Sequence, residues 1–268
     1  MLMSVLWLII FFFVGASLGS FLNVVADRLP EGKSIISPPS CCPGCDRKLN
    51  AGDMIPVFSY LLLRGRCRSC HAVIPKRVFW MELVVGILFA FLFLHYGFCW
   101  ELALVAFYSC LFAVLLVIDL EQGILPNKII YPGCIVVLIA AALGSIFGFV
   151  PLSVDFLVFR LWIVNAVVGG AIGFGFLFIV ALIFKGGMGW GDVKLAGLIG
   201  LVTGFPLVFV AMFLGVVGGG LVAGVLLLTK VKKRKETIPF GPFLSLAAIV
   251  TVLWGRDILN WYLSLAGM

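Results

Sequence analysis

Long apolar runs recur from one end of this chain to the other, and they limit its folds more than any other feature. Bounded by charge or turn residues, they fall at about 3–24, 79–97, 99–119, 128–149, 158–184, 192–204, 206–229 and 243–264. Crossing a bilayer takes about 20 apolar residues in a helix, and all but one of these runs come close to that. The exception, Asp192 to Gly204, is too short at about 1.5 Å of rise per residue unless the bilayer thins or the helix breaks. Only 12% of the residues are charged and 63% are hydrophobic, whereas soluble domains carry roughly 25% charge. The pattern predicts an all-α polytopic membrane protein with about eight transmembrane helices.

The sparse charges then give orientation. Nine of the 19 basic residues lie between 25 and 78, and five more form the run Lys230, Lys232, Lys233, Arg234 and Lys235. Basic loops stay on the cytoplasmic side, so both segments are expected there. With the N-terminus outside, eight spans satisfy both assignments. Loops 120–127 and 185–191 then also face the cytoplasm, and only Arg160 and Arg256 among the basic residues lie on the far side. The first run has no basic residues before it and positive charges after it, unlike a secretory signal peptide. The net charge of +7 therefore describes topology. A nucleic-acid partner is not expected, since that needs basic residues among exposed aromatics on a soluble surface. The expected organisation is a first transmembrane helix at 1–24, a cytoplasmic loop domain at 25–78 and a membrane core at 79–268, with no internal repeat visible.

The loop domain carries Cys42-Pro-Gly-Cys45 and Cys67-Arg-Ser-Cys70, two pairs with 21 residues between them. That spacing is close to a zinc ribbon's. Each pair offers two thiolates from one tight turn, and four thiolates close a tetrahedral Zn²⁺ site. In a reducing cytoplasm a disulfide framework is the weaker reading. Four sulfurs leave no open position, so the metal is expected to fold the loop, which has few large apolar groups of its own. Cys41 is a spare neighbour, and Cys99, Cys110 and Cys134 lie in apolar segments where buried inert thiols are the default.

Two aspartates stand at the margins of apolar runs. Asp119 ends the run 102–118 and precedes Leu125-Pro-Asn127, while Asp192 follows Gly189-Trp-Gly191. Ionisable groups in membrane helices are costly and commonly mark functional sites. Both are placed near the cytoplasmic ends of their spans, which permits them to meet. Two carboxyl groups in one site can divide the roles of base and acid, as in aspartic proteases. The charged member would draw a proton from water and the protonated member would polarise a peptide carbonyl. Taken singly, each aspartate is better explained as snorkelling at a helix end or capping a helix, Asp192 especially as an N-cap or first-turn residue. It is the pair that favours the catalytic reading.

Further segments complete a pattern. Gly19-Ser-Phe-Leu-Asn-Val-Val25 with Arg28-Leu-Pro30, Ser37-Pro-Pro-Ser40, the cysteine pairs with Ser59 to Arg66, Asp119 with Leu125-Pro-Asn127, Gly189 to Leu195, and Ile238-Pro-Phe-Gly-Pro242 span nearly the whole sequence. Taken together, these resemble the bacterial type IV prepilin peptidases, bifunctional leader peptidases and N-methyltransferases of pilus and type II secretion systems. The resemblance implies that Asp119 and Asp192 are the catalytic aspartates of a membrane aspartic endopeptidase in the bacterial inner membrane. Where the family often has a second aspartate two residues after the first, this chain has Glu121, which favours Asp119.

By the same resemblance, the substrates are prepilins and pseudopilins with a short basic leader ending in glycine, cut at the cytoplasmic face. The new N-terminal residue is then methylated from S-adenosylmethionine. Acidic residues near the site, Glu31, Glu121 or Glu236, would suit a basic leader. No Gly-rich strand-to-helix loop of the dinucleotide-binding type is present, so a methyl-donor site must be built on the membrane fold or its loop. Asn23, Arg28 and Glu82 are candidates, although Asn23 could simply cap a helix end and Glu82 could pair with Lys76 or Arg77. The phenylalanine-rich stretches read as lipid-facing or packing surface, and Lys230 to Lys235 as an inside loop touching anionic lipid. The competing readings are a proton-coupled transporter with an aspartate relay, which would normally show repeated halves and a midplane site, and a non-enzymatic assembly subunit docked through the knuckle.

Overall fold

In the computed structural model, residues 2–147, 161–183, 189–229 and 239–267 are described. The basic run Lys230 to Lys235, together with Arg160, Glu236 and the glycines at 186 and 187, lies outside them. Among the described residues the chain is helical, with no strand longer than an isolated bridge. The helices are α1 (Leu2–Arg28), α2 (Phe58–Leu62), α3 (Lys76–Tyr96), α4 (Trp100–Gln122), α5 (Asn127–Phe147), α6 (Trp162–Ile183), α7 (Trp190–Thr203), α8 (Leu207–Leu228) and α9 (Gly241–Leu265). Seven of them, all but α2 and α7, are long and apolar enough to cross a membrane.

Helix α7 corresponds to the short sixth run. Its 14 residues span about 21 Å, and it packs against α5, α6, α8 and α9. Val193, Leu195, Ala196, Leu198, Ile199 and Val202 are buried. Neighbouring helices enclose it, so its apolar character reflects packing inside the protein. Where α7 meets α6, glycines let the backbones touch: a Cβ on Gly200 would collide with the Gly169 carbonyl. Close approach of this kind through small residues is how membrane helices gain packing energy.

The chain divides into two compact units, 1–106 and 107–268. Within the first unit, α3 packs along α1. Their contact is tight: a side chain on Gly19 would meet the Met81 carbonyl at 2.8 Å and the Glu82 Cα at 2.9 Å. Phe11 stacks on Phe93 with ring centroids 4.5 Å apart. Asn23, 4% exposed, joins the helices by donating from Nδ2 to the Gly19 carbonyl (3.1 Å) and the Val78 carbonyl (3.4 Å).

Candidate active site and metal centre

Between α1 and α3 the chain builds two copies of one turn, offset by 25 residues. The Cys42 amide donates to the Arg47 carbonyl and the Cys67 amide to the Ala72 carbonyl, at 3.0 and 2.8 Å. Asp46 bonds back to Cys42, and His71 to Cys67, at 2.9 and 3.1 Å. Asp46 and His71 both adopt the left-handed backbone, with φ of 51° and 57°. The isolated bridges Cys41↔Lys48 and Arg66↔Val73 complete the equivalence. An internal repeat is therefore present, contrary to the expectation from sequence. It escapes notice there because hydrogen bonding and backbone hand define it, and few side chains besides the cysteines recur.

The two turns bring the Sγ atoms of Cys42, Cys45, Cys67 and Cys70 within 4.8 Å of one another, with Cys42 and Cys70 at 3.6 Å. A tetrahedron with metal–sulfur bonds of about 2.3 Å has edges of about 3.8 Å, so this cluster can hold a metal ion with little movement. Arg47 donates to the Ser69 hydroxyl and ties one turn to the other. Amides of Cys70 and Ser69 hold the Cys67 thiol down at about 6. Cys70 behaves oppositely: the Ala72 amide favours its thiolate, yet desolvation and the neighbouring sulfurs push it up to about 12. Four thiols this close cannot all ionise without a cation among them. No disulfide joins any cysteine, and Cys99, Cys110 and Cys134 are only partly buried.

Asp119 and Asp192 both belong to the second unit, and they converge. Asp119 lies one turn before the end of α4, where Gly123 takes φ of 64° and its amide bonds the Asp119 carbonyl at 3.0 Å. The side chain is 4% exposed, and its Oδ2 has no hydrogen-bond partner among the described residues. Asp192 occupies the first turn of α7, facing the Gly189 amide, so it does serve the helix terminus. It is also close enough to Asp119 for their charges to interact.

Two positions frame the pair. A Cβ on Gly241, at the start of α9, would stand 2.6 Å from Asp119 Oδ2 and 3.2 Å from Leu125 Cδ1. Leu125 in turn lies against Gly191, where a Cβ would be 3.0 Å from its own Cβ. The end of α4, the loop after it and the starts of α7 and α9 thus stand at one level. Nearby, Lys194 donates to Asn127 Oδ1 at 3.0 Å and lies over the Tyr131 ring. Sequence reading had noted the segment 238–242 without giving Gly241 a role, because its contact is with a residue more than a hundred positions away. A carboxyl pair with one buried, unpartnered oxygen beside a side-chain-free backbone is suited to hold a water and a peptide carbonyl together.

The three candidates for a methyl-donor site separate. Arg28 donates to the Ser34 and Pro38 carbonyls at 3.3 and 2.7 Å, fastening the loop after α1. Asn23 serves the α1–α3 contact. Glu82, 5% exposed, accepts from the Val57 amide at 2.7 Å and lines a cavity of the first unit. Neither Lys76 nor Arg77 pairs with it, since Arg77 bonds Asp27 at 2.6 Å.

Comparison with known proteins follows the same division. The model of the bacterial peptidase A24 N-terminal domain matches residues 13–96, and that of the type IV leader peptidase family matches 106–224. A Bacillus subtilis protein named prepilin leader peptidase/N-methyltransferase is 34% identical over 257 residues, covering 96% of this chain and 98% of that protein. Proteins of the same name from Pseudomonas putida and Pseudomonas aeruginosa are 31% and 29% identical, each across 95% of this chain and 93% and 92% of their own lengths. No solved structure gives a significant match. Similarity at this level along nearly the full length of both chains means that the chain belongs to the type IV leader peptidase family.

Proposed function

We propose that this chain is a membrane aspartic endopeptidase that removes the basic leader from prepilins and pseudopilins, and that it N-methylates the new N-terminus with S-adenosylmethionine. The observation that carries the reading is the convergence of Asp119 and Asp192 at one end of the second unit, in a chain whose relatives are named for this activity. One aspartate, as carboxylate, takes a proton from a water molecule as that water attacks the carbonyl of the leader's last glycine. The other, as carboxylic acid, polarises that carbonyl and then protonates the departing amine.

We read the excess of Lys and Arg in loop 25–78 as a sign that this loop faces the cytoplasm, with the N-terminus outside, and we propose that the aspartates act at that same face of the inner membrane. A prepilin leader waits there, its apolar segment still in the bilayer. The four-cysteine cluster takes Zn²⁺, in keeping with an all-thiolate tetrahedral donor set, and its role is to fold the loop. For the second activity, the donor supplies an electrophilic methyl group to the amine released by cleavage.

The test is to reconstitute the protein in lipid with a model prepilin and compare Asp119→Asn and Asp192→Asn with the parent. Each variant is expected to lose about 10²–10⁴-fold in cleavage rate while keeping its metal. Cleavage at the parental rate by either one would remove the pair from the mechanism. Methylation is followed separately on a precleaved pilin, so that loss of cleavage does not hide it.

A further inference from the structure

The first unit contains a cavity of about 280 Å³ that peptide cleavage does not use. It is lined by Ser20 of α1, Glu82 of α3, Tyr60 and Leu63 from the α2 region, and Asp53, Arg47 and Arg68 from the loop, with Cys42 and Cys67 of the thiol cluster on one side. Two of its walls are nearly buried carboxylates. The Asp53 side chain is 7% exposed and pairs with Arg68 at 2.9 Å. Glu82, by contrast, has no lysine or arginine paired with it among the described residues.

A nearly buried carboxylate in a membrane helix is costly and calls for a reason. Part of the reason is structural, because Glu82 Oε2 holds the amide of Val57, a β-branched residue at φ 65°. A neutral amide side chain would accept that bond equally well, so the bond does not explain the charge. Nor does it explain why the space beside the carboxylate is open instead of packed. A negative group beside an apolar wall fits a ligand with positive charge on an apolar, partly aromatic body.

We infer that this cavity binds S-adenosylmethionine, with Glu82 matching the donor's positive charge and Tyr60 and Leu63 forming the wall for its purine. The inference rests on the methyltransferase reading above, and it assigns that activity to the first unit. Glu82 is here a binding residue.

Equilibrium binding of labelled S-adenosylmethionine to the full-length protein in lipid nanodiscs tests it, with S-adenosylhomocysteine, which lacks the sulfonium charge, as the comparison ligand. Glu82→Gln keeps the acceptor for Val57 and removes the charge. It is expected to weaken S-adenosylmethionine binding about tenfold and to change S-adenosylhomocysteine binding far less. Ser59→Trp, on the α2 wall of the same cavity, is expected to weaken both ligands alike, and metal content with thermal unfolding reports whether each variant is folded. If Glu82→Gln does not fold, the Ser59→Trp result decides alone. If the parent binds the donor and methylates precleaved pilin while both variants bind as it does, the cavity assignment is overturned and the methyltransferase reading stands. If the parent neither binds the donor nor methylates, both are overturned.

Discussion

The two units are held together by different means. In the second, side chains such as Phe112, Leu115, Ile118, Leu195, Leu198, Leu207 and Leu244 are fully buried, and helices α6 and α7 approach to backbone contact. In the first, the stretch between α1 and α3 buries only Cys42, Pro56 and Val57 among its apolar side chains. What it has instead is four thiols, a pair of matching turns and one membrane carboxylate reaching the Val57 amide. A packed core resists small chemical insults and fails at steric ones. A loop folded around a cluster should do the reverse.

If the cluster holds zinc as proposed, removing that ion is the strongest way to break the comparison. Structural zinc sites in small domains contribute on the order of 10 kcal/mol of folding free energy, far more than this loop can recover by burial. Chelation, or the double change Cys42→Ser and Cys70→Ser, is therefore expected to open residues 39–75 to hydrogen exchange while α5 to α9 keep their protection. Equal loss of protection in both units would show that the second depends on the first. Acid should act like a chelator. Metal binds the thiolates, and in the free cluster Cys70 holds its proton up to about 12 while Cys67 ionises near 6. Loading therefore displaces protons, and occupancy falls as pH is lowered.

A steric change should have the opposite distribution. Gly241→Ala places a methyl group 2.6 Å from Asp119 Oδ2, and either α9 or the carboxyl group must shift. A displacement of about 1 Å at reacting groups can cost about 10²-fold in rate, so cleavage should fall by roughly that factor. Metal content and hydrogen exchange in the first unit should be unchanged. Cleavage by Gly241→Ala within twofold of the parent would show that the site tolerates the shift and that the absence of a side chain there is incidental.

These tests fall on the places where sequence reading was strongest and weakest. The long helices were legible because a hydrophobic run of the right length has few alternatives in lipid, and the cysteine pairs because metal chemistry fixes their spacing. The pairing of Asp119 with Asp192 was legible as a convergence of helix ends. Three features were not. Helix α7 is apolar like its neighbours, and only packing shows that other helices enclose it. The grouping of α3 with α1 depends on Gly15 and Gly19 meeting Val85, Met81 and Phe89, a match of surfaces that no local pattern reveals. Glu82 looked like a partner for Lys76 or Arg77, but its carboxylate turns to the Val57 amide, 25 residues earlier in the chain.

The smallest expected effect sharpens the account of the first unit's helix pair. Arg77 and Asp27 form an ion pair at 2.6 Å between the ends of α3 and α1. With Asp27 57% exposed, solvent screens it, and exposed pairs contribute about 0.2–1 kcal/mol. Glycine contacts and the Asn23 bridge lie on the same two helices, so Asp27→Asn should lower the thermal midpoint by no more than a degree or two. Raising the salt concentration should shrink the difference further, since screening already weakens the pair in the parent. A drop of several degrees that persists in high salt would mean that charge, and not close packing, sets the register of α1 on α3. In that case the first unit would rest on electrostatics at its helices as well as at its thiols, and the contrast with the second unit would be deeper than the buried residues alone indicate.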